Sequence, residues 1–201
     1  MITHSGQAIF PKGSEHYDPA SVPTIADIAR GLGRMVRFAG QTKDYYTVLC
    51  HTLTVGEITT PDARIYALLH DAPEAIVGDV PSTWKTNAAV VRENELMEAI
   101  CVANGIAWPP PKDLWEKVKA ADAAALGAEA HALGHSQAQK WWPIEKFTTQ
   151  GHLALHQTLY RKEQAVLLMD PEQATAAYQE AIDKALTVAR EDAMILQSTT
   201  P

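Results

Sequence analysis

Residues 68–81 read Leu68-Leu69-His70-Asp71-Ala72-Pro73-Glu74-Ala75-Ile76-Val77-Gly78-Asp79-Val80-Pro81, and the interpretation of this stretch decides how the rest of the chain is read. Its apolar positions belong to a buried helix, yet one imidazole and three carboxylates fall between His70 and Asp79. Taking four such groups out of water costs several kcal/mol unless they are paired, protonated or metal-bound. A bound divalent cation offsets that cost most simply. Imidazole and carboxylate ligands without a thiolate suit Mn, Co, Fe, Ni or Zn better than a Cys-type structural zinc site.

Two more segments repeat the pattern of a polar residue on an apolar stretch. His51 lies in Val48-Leu49-Cys50-His51-Thr52-Leu53, and Asp122 in Lys119-Ala120-Ala121-Asp122-Ala123-Ala124-Ala125-Leu126. The alanines around Asp122 permit close helix approach, and an aspartate there needs a partner. Ligands from three helices would leave coordination positions open for water and a phosphate oxygen.

Around these segments the periodicity is helical almost throughout. Thr24 with Asp27 forms a capping-box start for a helix whose apolar positions Ile25, Ile28, Ala29, Leu32, Met35 and Val36 end near Phe38-Ala39-Gly40. Tyr45, Val48, Leu49 and Leu53 mark a second helix, with a strand over 45–55 as the alternative. Pro61-Asp62 opens a third helix to about Ile76, with a kink or break at Pro73. Further helices are expected over 86–104, 113–133, 152–169 and 171–196, with an irregular stretch over 135–151. The expectation is one all-α domain over residues 24–197, preceded by an extended segment over 1–23.

Composition narrows the function classes. At 201 residues, 46% hydrophobic and 20% charged, the chain suits one packed domain. A formal net charge of -7 argues against a surface that tracks polymeric nucleic acid, but not against one small phosphate compound. Cys50 and Cys101 read as buried thiols in a reducing compartment. No stretch is apolar enough for a membrane span, and Met1 to Pro11 has no signal-peptide pattern, so the chain reads as cytoplasmic, without membrane partners.

The blocks Asp27-Ile28-Ala29 with Arg37-Phe38, Tyr46-Thr47-Val48 before His51, His70-Asp71-Ala72 with Glu74-Ala75, Gly78-Asp79, Pro81 and Lys85, and Val118-Lys119 with Ala121-Asp122 together resemble the HD-domain metal-dependent phosphohydrolases. The resemblance is to the small branch of bacterial 5'-deoxynucleotidases and phage-type dATP triphosphohydrolases, and it runs from about Ile25 to Leu133. Pro73 departs from the small residue common there. The resemblance implies an HD-domain helical fold with His51, His70, Asp71 and Asp122 as ligands of a divalent metal ion (Mn, Co or Zn). It implies Glu74 as the residue that orients or deprotonates the attacking water and Asp79 as a second catalytic carboxylate. Arg37 would bind phosphate, Lys85 would meet further phosphate charge, and Phe38 would stand against the sugar or base. Arg34 lies three residues before Arg37 on the same helix face, which makes a two-arginine phosphate clamp the expectation there. The substrate implied is a deoxynucleoside 5'-phosphate, with dATP, cleaved to deoxynucleoside and triphosphate, ranked ahead of dNMPs. Relatives imply a homo-oligomer, dimer or hexamer, with the helices beyond residue 152 as contacts.

A non-catalytic module that keeps this fold for binding or signalling is the rival reading, and retention of Glu74 and Asp79 weighs against it. Hydrolysis of a guanosine alarmone or cyclic dinucleotide is disfavoured because the extra motifs of those branches are absent. Trp84 reads as a packing residue rather than a cavity wall. The pairs His131/His135 and His152/His156 lack the intervening glutamate of a zinc-protease helix and read as surface or capping residues.

Overall fold

The computed structural model describes residues 2–9, 11–12, 16–17, 21–42, 44–133, 140 and 170–198, and these form a single all-α domain. Its helices are α1 (Ile25–Leu32), α2 (Val48–Ile58), α3 (Arg64–Leu69), α4 (Glu74–Val77), α5 (Asn87–Ala103), α6 (Lys112–Ala132) and α7 (Pro171–Ser198). The extended entry carries two short strands, β1 (Pro11–Lys12) and β2 (His16–Tyr17), paired antiparallel. The helix expected over 152–169, the irregular stretch over 135–151 and His135, His152 and His156 lie outside the described residues.

Helix α2 is the axis of the domain. Every residue from Val48 to Gly56 is buried, and a helix buried all round needs neighbours on every side. It has them in α3, α6 and α7. Gly56 sets how closely α3 can approach, since a Cβ there would lie 2.5 Å from Leu68 Cδ2. The Tyr178 hydroxyl of α7 donates to the Leu68 carbonyl at 2.7 Å, tying the C-terminal helix to the back of α3. Ile28, Leu32, Leu49, Leu68, Leu69, Leu96, Ile100 and Ile182 fill the space between.

The helix starts follow the expected capping chemistry. Thr24 Oγ1 accepts the Asp27 N–H at 3.1 Å, and the Asp27 carboxylate accepts back from Thr24. Ser5 adds its N–H and hydroxyl to the same carboxylate at 2.9 and 2.7 Å, pinning the entry segment to α1. Thr47 caps α2 and Thr86 caps α5, each cap contributing about 1 kcal/mol. The alternative strand over 45–55 is therefore a helix from Val48 onward.

Two boundaries differ from expectation. Helix α1 stops at Leu32 rather than near Phe38, because residues 35–37 pair with the segment entering α2. Val36 bridges Thr47, the Arg37 N–H donates to the Tyr46 carbonyl at 3.0 Å, and the Val48 N–H donates to the Met35 carbonyl at 2.9 Å. The helix expected over 61–76 is three pieces: a 3-10 turn at Pro61–Ala63, then α3, then α4 beyond a turn at 70–73. Pro73 has no N–H to continue the ladder and stands at the head of α4.

Candidate metal centre

His51 projects from the middle of α2, His70 and Asp71 from the turn that ends α3, and Asp122 from α6. Asp71 Oδ2 lies 3.2 Å from His70 Nε2 and 3.6 Å from His51 Nε2. Asp122 Oδ1 lies 3.1 Å from His51 Nε2 and 4.0 Å from His70 Nε2, on a side chain 44% exposed that forms the open side of the cluster. One ligand atom from each of His51, His70 and Asp71 falls within 4.8 Å of the others, a group that could hold a metal ion.

The fit to a cation rests on the two imidazoles. His70 Nδ1 donates to the Ala67 carbonyl at 2.7 Å, and His51 Nδ1 meets Glu129 Oε1 at 2.7 Å. Both rings therefore turn Nε2 toward the carboxylates. Both Nε2 atoms are buried, and neither has a hydrogen-bond partner among the described residues, although Asp122 Oδ1 lies 3.1 Å from His51 Nε2. Nδ1 tied to an acceptor and Nε2 left facing acids is the arrangement a metal-bound histidine needs. The carboxylates act on a proton much as they would on a cation. Burial and Arg37 push the His51 pKa down, but Glu129 and the contacts to Asp122 and Glu129 outweigh them and raise it to about 9. Asp122, which burial would push up, is held far below its usual range by His51, His70 and Arg37.

Glu74 and Lys85 form the opposite wall. Lys85 Nζ lies 3.3 Å from Glu74 Oε1 and 2.9 Å from Glu93 Oε2, so one ammonium serves two acids. Burial, then Asp71 and Asp79, raise the Glu74 pKa to about 8 against the pull of Lys85. A cavity of about 660 Å³ opens between this wall and Arg37, lined also by Phe38, Asp71, Asp79, Trp84 and Asp122. A second, of about 160 Å³, lies behind Glu74 and Lys85 against Trp108 and Trp115.

Arg37, Phe38, His51, His70, Asp71, Glu74, Asp79, Lys85 and Asp122 thus meet around one centre. Arg34 does not join them. Its side chain is exposed, its Nη1 donates to the Arg30 carbonyl at 3.3 Å, and the helix face it was expected to share with Arg37 ends at Leu32. Trp84 is no packing residue: it stands 80% exposed at the rim of the large cavity. His131 is half-buried at the end of α6.

Sequence reasoning missed Glu129 and Glu93. Glu129 is fully buried, and its Oε1 also accepts the Tyr46 hydroxyl at 2.8 Å, while its Oε2 lies 3.3 Å from Arg37 Nε. Glu93 holds Lys85. The signal for Glu129 was its position seven residues after Asp122, two turns along one alanine-rich helix face. Arg37, held between Glu129 and Asp71 at 3.9 Å, stays charged despite its burial.

The fold and site define an all-helical domain with a buried His/Asp cluster at the floor of an open cavity. No known protein-family model matches the chain. It is similar to an uncharacterized protein of Rhodobacter capsulatus, 35% identical over 128 residues that cover 57% of this chain and 65% of that protein. It is also similar to the uncharacterized protein YfdR of Escherichia coli, 29% identical over 120 residues, covering 60% of this chain and 66% of that protein. The chain spans just under two thirds of the length of each of these relatives. No helix among the described residues is long and apolar enough to cross a membrane.

Proposed function

We propose that this chain is a metal-dependent phosphohydrolase acting on deoxynucleoside 5'-phosphates, with His51, His70, Asp71 and Asp122 holding a divalent cation such as Mn, Co or Zn. The observation that carries this reading is the pair of buried Nε2 atoms, without hydrogen-bond partners among the described residues, that face carboxylates beside a cavity that also contains Arg37 and Glu74. A volume of about 660 Å³ is in the range of small-molecule sites and has room for a nucleotide. The resemblance of the sequence blocks to HD-domain enzymes supports the same reaction class.

A divalent cation in such a site supplies a more acidic water and withdraws charge from a phosphoryl oxygen. The side chains do the rest. Arg37, fixed by Glu129, orients the phosphate. Glu74, on the cavity wall beside Asp71, is the carboxylate placed to take a proton from the attacking water and pass one to the departing O5'. Asp79, across the same cavity, raises the proton affinity of Glu74 and serves as the second carboxylate. Water adds to phosphorus, the P–O5' bond breaks, and the deoxynucleoside leaves with its O5' protonated. With dATP the other product is triphosphate; with dAMP it is inorganic phosphate.

The sequence resemblance ranks dATP first. A specific observation brings dAMP beside it: Arg34 is outside the cavity and Lys85 is shared by Glu74 and Glu93, which leaves few cations among the described residues for a long phosphate chain. The test is product release from dATP and dAMP in parallel, with Mn, Co and Zn, against Asp71→Ala. Triphosphate from dATP alone establishes the first substrate, and phosphate from dAMP alone establishes the second. Absence of any metal-dependent product from either sinks the hydrolase reading in favour of a binding module.

A further inference from the structure

Glu129 lines neither cavity, and the proposed chemistry assigns it no step, yet a histidine of the metal cluster and the phosphate-facing arginine both end on it. Its Oε1 receives the Tyr46 hydroxyl at 2.8 Å and lies 2.7 Å from His51 Nδ1. Its Oε2 lies 3.3 Å from Arg37 Nε, and the residue is fully buried. We infer that Glu129 is a positioning residue that holds His51 in the Nδ1–H form, with Nε2 aimed at Asp71 and Asp122, and anchors Arg37 beside Asp71. The inference rests on the metal-site reading above.

Packing alone does not call for an acid here. Ala124, Ala125, Ala128 and Ala130 surround it on α6, and a buried charged network replaced as a whole by apolar residues of similar volume often loses no stability. What an apolar residue cannot do is accept Nδ1–H. The carboxylate oxygen that already accepts the Tyr46 hydroxyl has only lone pairs to offer at the 2.7 Å contact, so the hydrogen there belongs to His51 Nδ1, and Nε2 is the nitrogen turned toward a ligand. The two oxygens have separate partners, one serving Tyr46 and His51 while the other faces Arg37. Because Arg37 is approached at Nε, its Nη1 remains on the Asp71 side, 3.9 Å from Oδ2. A single buried carboxylate thereby sets the spacing between cation and phosphate. Acceptors that orient a metal-bound histidine change metal affinity by ~10- to 100-fold when removed.

The test uses the full chain and Co²⁺ or Zn²⁺ alone. Co²⁺ affinity is measured by equilibrium dialysis for the wild type, Glu129→Gln and Tyr46→Phe. An amide can present N–H instead of oxygen to Nδ1 and favour the wrong tautomer, so Glu129→Gln is expected to weaken Co²⁺ binding ~10- to 100-fold. Tyr46→Phe removes a different partner of the same oxygen and leaves the Nδ1 acceptor in place, so its Co²⁺ affinity should stay close to that of the wild type. A role confined to packing would lower the Tm of both variants and leave both affinities alone. Nitrogen-15 histidine spectra of the Zn²⁺-loaded wild type give a second readout that needs no variant to fold. His51 protonated at Nδ1 and ligated through Nε2 is expected, and ligation through Nδ1 overturns the proposal. Equal Co²⁺ affinity in wild type and Glu129→Gln also overturns it, with the metal reading intact. A wild type that takes up no Co²⁺ overturns the metal reading and this proposal together.

Discussion

Glu129 and Glu74 are both buried carboxylates beside the same cluster, and their surroundings drive them in opposite directions. Burial raises the proton affinity of each. At Glu129 the charges of His51 and Arg37, with hydrogen bonds from His51 and Tyr46, overcome that and hold the carboxyl below its ordinary range. At Glu74 the nearest charges include Asp71 and Asp79, and the opposing cation, Lys85, is divided with Glu93, so the pKa rises to about 8. An acid that must stay charged is surrounded by donors and serves as scaffold. An acid left short of cations sits near neutrality, where it can exchange protons.

The two regions join at Asp71, which lies near His51, His70 and Arg37 and also raises the pKa of Glu74. Asp71→Ala should therefore have the largest effect of any single change. It removes a ligand from the cluster, and hydrolysis of dATP or dAMP is expected to fall to the metal-free background. Residual metal-dependent turnover close to wild type would remove Asp71 from the centre of the site.

Glu74→Gln separates the chemistry from the frame. On the proposed mechanism this removes the proton-transfer group and should lower kcat by ~10²- to 10⁴-fold, with Co²⁺ binding largely retained. Its stability effect has the reverse sign. A carboxyl whose pKa climbs from 4.5 to about 8 on folding contributes stability below pH 4.5 that is lost as pH rises through 8, because the unfolded chain binds fewer protons over that interval. In the metal-free protein, Glu74→Gln should raise Tm at pH 8.5 and give no such gain at pH 5, as read by thermal melts. A gain independent of pH would mean that ionisation of Glu74 is not what strains the fold.

Glu129→Ala tests the other half of the contrast. Arg37 and His51 would be left buried without their acid, and breaking a buried pair on one side costs ~3–5 kcal/mol. Urea unfolding at pH 7 should show that loss. Glu74→Gln and Glu129→Ala should thus move stability in opposite directions at pH 8.5. If both destabilise, the division into proton-transfer acid and scaffold acid fails.

How much of this was legible in the sequence depends on how local each signal is. The Thr24–Asp27 capping box, the all-α class and the break at Pro73 rest on spacing and on local residue chemistry, while the grouping of His51, His70, Asp71 and Asp122 came with the resemblance of the linked sequence blocks. Each was readable without a fold. Arg34 was misplaced because the helix beneath it ends where Val36 and Arg37 pair with Thr47 and Tyr46, a long-range contact with no local mark. Glu129 and Glu93 were missed because a lone acid on a helix gives no sign of depth. Only the packing of α6 on α2 tells Glu129 from a solvated glutamate.

The smallest expected effect lies at the turn that follows Arg37. Phe38 and Ala39 follow Arg37 with φ of 54° and 50°, left-handed values that cost roughly 1–2 kcal/mol for a residue with a side chain. The strain sits at the cavity wall, where Arg37 is pinned by Glu129 and its guanidinium stacks 5.6 Å from the Phe38 ring centre. Ala39 is exposed, so its methyl group contributes little packing to offset the cost. Ala39→Gly should then raise stability by about 1 kcal/mol in urea unfolding. If the strained turn also holds Phe38 against the substrate, the same change should raise KM and leave kcat alone, since the proton-transfer wall is untouched. A stability gain with KM unchanged would assign the strain to the pairing of residues 35–37 with the segment before α2, and limit the site's positioning machinery to Glu129.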